Sequence, residues 1–246
     1  MAMGAPSLMR MARRPMPTDP PAACAASILT LAQWLSPAFP IGAFSYSHGL
    51  ETAIATGAVG SAQELAQWLK SVLAHGSGRN DAILLRAAFD APDRAALERV
   101  DQVALAFAAS AERRLESRLQ GAAFGQTVAA VWGRQPAEAA FEAEWLLELC
   151  LPVAVGAAAA RQRLDLEMCV VLYVQAFASN LVSVAMRALP LGQTEGQAVL
   201  AGLAPLCAEI AQQSRGAGLE DLHSSAFLSD IAAMHHETLQ PRIFRT

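Results

Sequence analysis

MCVVLYVQAFASNLVSVAM, residues 168–186, runs for nineteen residues without a formal charge. That is close to the roughly 20 apolar residues a helix needs to cross a bilayer. Its polar residues argue for another setting. Gln175, Ser179, Asn180 and Ser183 recur at spacings of three and four and so share one side of a helix. A core helix carries such a stripe where it meets other helices or another subunit. The stretch therefore reads as the central helix of a water-soluble protein, against the alternative of a lipid-embedded one. Asp165 is placed to cap this helix, and PLGQ at 190–193 stops it.

The helical period continues on both sides. CLPVAVGAAAA at 150–160 is too short to span a membrane, and Pro152 opens an alanine-rich helix there. Upstream, Ser27 can cap a first helix carrying Ile28, Leu31 and Leu35, which SPAFPIG at 36–42 breaks. A second helix is expected from Phe44 to about Thr56, ending at Gly57. Ser61 and Glu64 form a capping box ahead of Leu65, Leu69, Val72 and Leu73, which share a face. A loop GSGRND at 76–81 precedes a short helix near 82–89, and Pro92 falls in the first turn of the next. Residues 111–133 read as a longer helix with Leu115, Leu119 and Ala122 on one side and Arg113 with Glu116 on the other. Pro136 opens another, aligning Phe141, Trp145 and Leu149, and further helices fit 195–213 and 224–238 before Pro241. Strand-like alternation is hard to find, so the expectation is all-α. One globular helical domain spans 27–238, between a disordered Pro/Arg-rich head at 1–26 and a flexible tail at 239–246.

Apolar residues make up 54% of the 246 and charged residues 16%, which excludes a disordered or fibrous chain. The apolar share exceeds the usual 45–50% or so, more than one monomer readily hides, so a protein partner such as a second copy is expected. Net charge is −4; outside the first 23 residues, which hold Arg10, Arg13, Arg14 and Asp19, it is −6, with no basic footprint for nucleic acid. No apolar run follows the head's arginines, so it does not read as a secretory signal, and a cytoplasmic protein is expected.

Phosphate-binding loops, dinucleotide fingerprints, H-E-x-x-H and G-x-S-x-G are all missing, so the expectation is no enzyme and no cofactor. Cys24, Cys150, Cys169 and Cys207 are scattered without metal-ligand spacing and read as core thiols. Adjacent His235 and His236 point about 100° apart on a helix, which suits a solvated or partner-contacting role better than a shared nickel or zinc site. Glu138, Glu142 and Glu148 read as a solvated face. Arg187 ends the central helix, where it complements the helix dipole or offers a planar fork of donors to a partner's carboxylate or phosphate.

Three segments taken together resemble the urease accessory protein UreF family: LSPAFPIGAFSYSHGLE at 35–51, NLVSVAMRALPLGQTEGQ at 180–197 and HETLQPRIFRT at 236–246. SAERRLESRLQG at 110–121 and LPVAVGAAAA at 151–160 also fit, so the similarity spans about 27–246. The resemblance implies a non-enzymatic α-helical homodimer that binds the accessory protein UreD, also called UreH. It recruits the GTPase UreG for nickel insertion into apo-urease subunits, in the cytoplasm. It also implies partner-binding residues. Glu51 and Arg187 correspond to charged positions facing the GTPase, although Glu51 reads equally as a first-turn acid stabilising a helix dipole. Tyr46 and His48 lie in the same motif as surface contacts, with Phe44 packed beneath the turn. His236 and Glu237 open the terminal segment. Arg242, Phe244 and Arg245 resemble a tail that is pliable alone and becomes ordered against UreD. The alternative is a direct regulator of UreG, with Arg187 as an arginine finger.

Overall fold

Residues 22–133 and 143–246 are described by the structure, a computed structural model. Among them there are ten α-helices, three short 3₁₀ turns and no strand. The helices are α1 (Ala22–Trp34), α2 (Leu50–Ala55), α3 (Ala62–His75), α4 (Ser77–Phe89), α5 (Arg94–Ala106), α6 (Ala111–Trp132), α7 (Leu151–Arg161), α8 (Leu166–Ala188), α9 (Gln193–Gln213) and α10 (Phe227–His236). The all-α expectation holds.

The core is built around α4, α7 and α8. Every residue of α7 from Pro152 to Ala159 is buried, because its small side chains let three neighbours close on it at once. Gly156 is the point of closest approach: a methyl group there would collide with the Leu85 carbonyl oxygen of α4. The uncharged α8 buries Cys169, Val170, Tyr173, Val174, Leu181, Val182, Val184 and Ala185 against α9, α4, α3 and α2. Half of its most apolar window lies inside the protein. Its polar stripe is half-buried among helices. Arg86, buried on α4, ties the layers: Nε donates to Ser214 Oγ, Nη2 to the Ala211 carbonyl, and both Nη atoms to Glu167 of α8.

Local signals placed several helices correctly. Ser61 Oγ accepts from Glu64 N, and the Glu64 carboxylate accepts from Ser61 Oγ and Gly60 N. Asp165 caps α8 by accepting from Met168 N at 2.7 Å. Elsewhere the structure corrects the sequence. The first helix begins at Ala22, ahead of Ser27, because four of the five residues at 22–26 are alanine, the best helix former, following two prolines. It thus starts inside the segment read as a disordered head, whose residues 1–21 lie outside the described residues. The expected loop at 76–81 is instead the first turn of α4; Gly76 alone turns the chain, and Gly78 packs where a side chain would strike Leu73. Asp93 caps α5, so Pro92 precedes the helix rather than entering it. The expected helix opening at Pro136, with Phe141, Glu138 and Glu142, falls largely outside the described residues. Residues Ala143–Glu148 form a 3₁₀ turn.

The expected helix from Phe44 to Thr56 is broken in two. A 3₁₀ turn spans Ala43–Ser45, and α2 begins only at Leu50, because His48 and Gly49 take left-handed backbone angles, φ 57° and 76°. On α6, Leu115 and Leu119 face solvent while Glu116 and Gln120 are buried. Two polar side chains point inward where an apolar stripe is the usual occupant.

Candidate functional site: the docked tail

The left-handed turn at His48–Gly49 aims α2 at α10. A Cβ at Gly49 would stand 2.7 Å from Ala233 N, so only glycine permits the approach. Glu51 therefore enters the interior in the first turn of α2, facing His236 at the end of α10. Both are buried, and His236 is wholly inaccessible. The Glu51 carboxylate accepts from His236 Nε2 at 2.9 Å, Ile243 N at 2.6 Å and Phe244 N at 3.0 Å. The other imidazole nitrogen, Nδ1, pairs with Glu112 Oε2 of α6 at 2.7 Å, and Glu112 Oε1 accepts from Arg242 Nη1 at 2.5 Å. One imidazole thus joins two carboxylates that each hold the tail.

The tail's last residues complete the seat. Arg245 N donates to the Ser45 carbonyl at 2.8 Å, and Ser47 N donates to the Thr246 carbonyl oxygen at 2.8 Å. Ser47 Oγ also donates to that oxygen. Thr246 Oγ1 accepts from His48 N and donates to Glu116 Oε2 at 2.7 Å. Glu116 is further engaged by Gln120 Nε2 and by an ion pair with Arg113. Phe244 is buried beneath Arg187, whose guanidinium carbon lies 4.7 Å from the ring centroid.

Beside this seat lies a polar interior. His48 Nε2 meets Ser77 Oγ at 2.7 Å, and burial together with the Arg113 charge holds the imidazole pKa well below its ordinary value. Asp81 accepts from Tyr173 OH at 2.8 Å, yet burial pushes its carboxyl up to about 6. The Tyr173 phenol is raised by its own burial and by Asp81. Burial also raises the thiols of Cys150, Cys169 and Cys207, the last two to about 12 and about 11, which leaves them as inert core groups. No group of three His, Cys, Asp or Glu side chains is placed to hold a metal among the described residues.

Several expected surface contacts are corrected. Tyr46, His48, Glu51 and His236 are buried, and the last three make internal hydrogen bonds, so all four lie inside the chain instead of on its surface. Phe44, expected beneath the turn, is exposed. The tail expected to be flexible packs on the body through backbone hydrogen bonds. Arg187, Glu237, Arg242 and Arg245 are exposed, and Glu237 also caps α6 by accepting from Ala111 N. Glu112, Glu116, Ser47 and Thr246 emerge as further members of the site; the Glu112/Glu116 spacing on the α6 face that buries Gln120 was the available signal.

The arrangement orders a peptide segment and leaves arginines around it. A UreF family model matches residues 59–204. The UreF of Roseobacter denitrificans is 50% identical over 221 residues, covering 89% of this chain and 94% of the relative. That of Ruegeria pomeroyi is 48% identical over 219 residues, 89% of this chain and 96% of the relative. That of Rhodopseudomonas palustris (strain BisB5) is 42% identical over 224 residues, 90% and 92%. The chain belongs to the UreF family of urease accessory proteins. In this UreF-family chain the SYSHGLE motif is therefore an internal seat for the tail, and the arginines at 187, 242 and 245 are what that seat leaves at the surface.

Proposed function

We propose that this UreF-family chain is a non-enzymatic scaffold in urease maturation. It binds UreD (UreH) through α10 and the tail, and it recruits the GTPase UreG to a surface containing Arg187 and Arg245. It works as a cytoplasmic homodimer that brings these proteins to apo-urease subunits for nickel insertion, and nickel is cargo of the assembly. The observation that carries the reading is Phe244 locked beneath Arg187 while Arg242 and Arg245 stay exposed. Phe244 is buried and orders the tail, and arginines held exposed beside it are frequent anchors of protein recognition; ordering them beforehand lowers the entropy cost of docking. The exposed apolar side chains Phe227, Leu228, Ile231 and Met234 of α10 give a partner an adjoining surface.

The test is co-purification with UreD and UreG after deletion of residues 242–246, with light scattering to report stoichiometry. The scaffold reading expects loss of UreG from the complex and weakened UreD binding. Undiminished capture of both proteins removes the tail from the mechanism.

A further inference from the structure

A cavity of about 160 Å³ lies between α1, the 36–44 loop, α6, α7 and α8, bordering the tail's seat through Glu116. Trp34, Phe39 and Phe124 form its aromatic wall: the Trp34 and Phe124 rings meet edge to face at 5.4 Å, and Phe39 lies 5.4 Å from Phe124. Ala176 and Phe177 of α8 line another side, and exposed Phe44 stands at the solvent side. Ser179, Asn180 and Ser183, three residues of the α8 polar stripe, also line it. The Trp34 indole Nε1–H is buried and has no hydrogen-bond acceptor among the described residues.

Size and chemistry define the occupant. A dry apolar cavity of about 150 Å³ accommodates a benzene-sized molecule, whereas nucleotide- or drug-sized ligands need roughly 300 Å³ or more. Charge is excluded by the surroundings. Glu116 lines the cavity, but its carboxylate is engaged by Gln120, Thr246 and Arg113, and Tyr173 OH is committed to Asp81. A buried indole N–H without an acceptor is costly, and a ligand oxygen relieves that cost. We propose that this cavity is a binding site for a neutral, single-ring molecule bearing a hydroxyl or carbonyl, of the phenol class. The ring stacks among Trp34, Phe39 and Phe124, and its oxygen is shared between the indole and the serine-rich edge of α8. The inference is independent of the scaffold reading.

The experiment uses the ¹⁵N-labelled full chain titrated with phenol and, separately, with benzene. The Trp34 indole N–H resonance is assigned by its loss in Trp34→Phe. The expected result is a saturable 1:1 shift of that resonance with phenol, at least five-fold weaker binding of benzene, and no shift of Trp68 on α3. Ala176→Leu, which fills the cavity without deleting a contact, weakens phenol binding at least ten-fold. Absence of a saturable Trp34 shift, or an equal shift at Trp68, overturns the site. So does unchanged affinity in an Ala176→Leu protein that keeps its helical circular dichroism. Benzene binding as tightly as phenol overturns the assigned ligand class. If Ala176→Leu does not fold, the wild-type comparison of Trp34 with Trp68 decides alone.

Discussion

The Glu51 carboxylate holds Phe244 by its backbone: Oε2 accepts from Phe244 N at 3.0 Å while Oε1 takes Ile243 N at 2.6 Å. The pair is separated by 193 positions, yet one acid makes the tail part of the helical body. Since the contact is to backbone, it fixes the path of the tail whatever side chains follow, and Phe244 and the arginines supply the chemistry.

Glu51→Gln tests this directly. The amide keeps the shape but sets an N–H donor against either an N–H of the tail or the imidazole of His236. Hydrogen bonds to charged groups contribute about 1.5–3 kcal/mol, and loss of that order is expected in urea unfolding. Hydrogen exchange at the amides of residues 243 and 244 should accelerate, and UreG recruitment should fall with it. A surface-recognition acid would alter recruitment with exchange unchanged, and that outcome would return Glu51 to the interface.

Arg187 separates the scaffold from the direct-regulator reading. Its contact with Phe244 is a partly exposed cation–π pair worth about 0.5–1 kcal/mol, so Arg187→Ala should barely change stability. The scaffold expects weaker UreG capture by Arg187→Ala and normal GTP hydrolysis once the complex is saturated. Arg187→Lys should recover part of the capture. Slow hydrolysis at saturation would make Arg187 a finger and refute the scaffold as sufficient.

How far the chain could be read follows from how local each signal is. The Ser61–Glu64 and Asp165–Met168 caps were legible because donor and acceptor lie within one turn. The inward face of α6 was not, because Glu116 is tolerated inside only through Arg113, Gln120 and Thr246, the last 130 positions away. Glu51 and His236 were misplaced for the same reason. An acid and an imidazole are solvated by default, and each becomes a core residue only when the other is brought to it. Gly49 shows the converse: its motif was visible, but the close approach of α10 that demands glycine is a tertiary fact.

Two inward-facing groups, buried His48 and half-buried Asp81, give stability opposite slopes against pH. The folded-state pKa of His48 is depressed, so the unfolded chain binds the proton first; its contribution is full above about 6.5 and is lost as pH falls. The folded-state pKa of Asp81 is raised from 3.8 to about 6; its contribution is full below the unfolded value and is lost as pH rises through about 6. Asp81→Asn keeps an acceptor for Tyr173 and removes the buried charge. It should stabilise the protein at pH 7 by about 1–3 kcal/mol and leave stability rising with pH from 4 to 7. Urea unfolding at four pH values checks this, and identical slopes in wild type and Asp81→Asn would show that Asp81 titrates normally.

The last prediction concerns α10. Phe227, Leu228, Ile231 and Met234 are exposed on a ten-residue helix whose final residue, His236, is fixed by Glu51 and Glu112. The helix cannot rotate to hide them without breaking the same imidazole contacts that seat the tail. An apolar face held outward in this way is recruited by a partner or left as an aggregation hazard. Leu228→Asp and Ile231→Lys remove apolar surface without opening the core, so stability should change by no more than about 0.5 kcal/mol. If α10 and the tail form one UreD-binding surface, the double variant should reduce UreD capture at least ten-fold, and hydrogen exchange at residues 243 and 244 should match wild type. Full UreD capture by the double variant would confine the partner surface to the tail and its arginines.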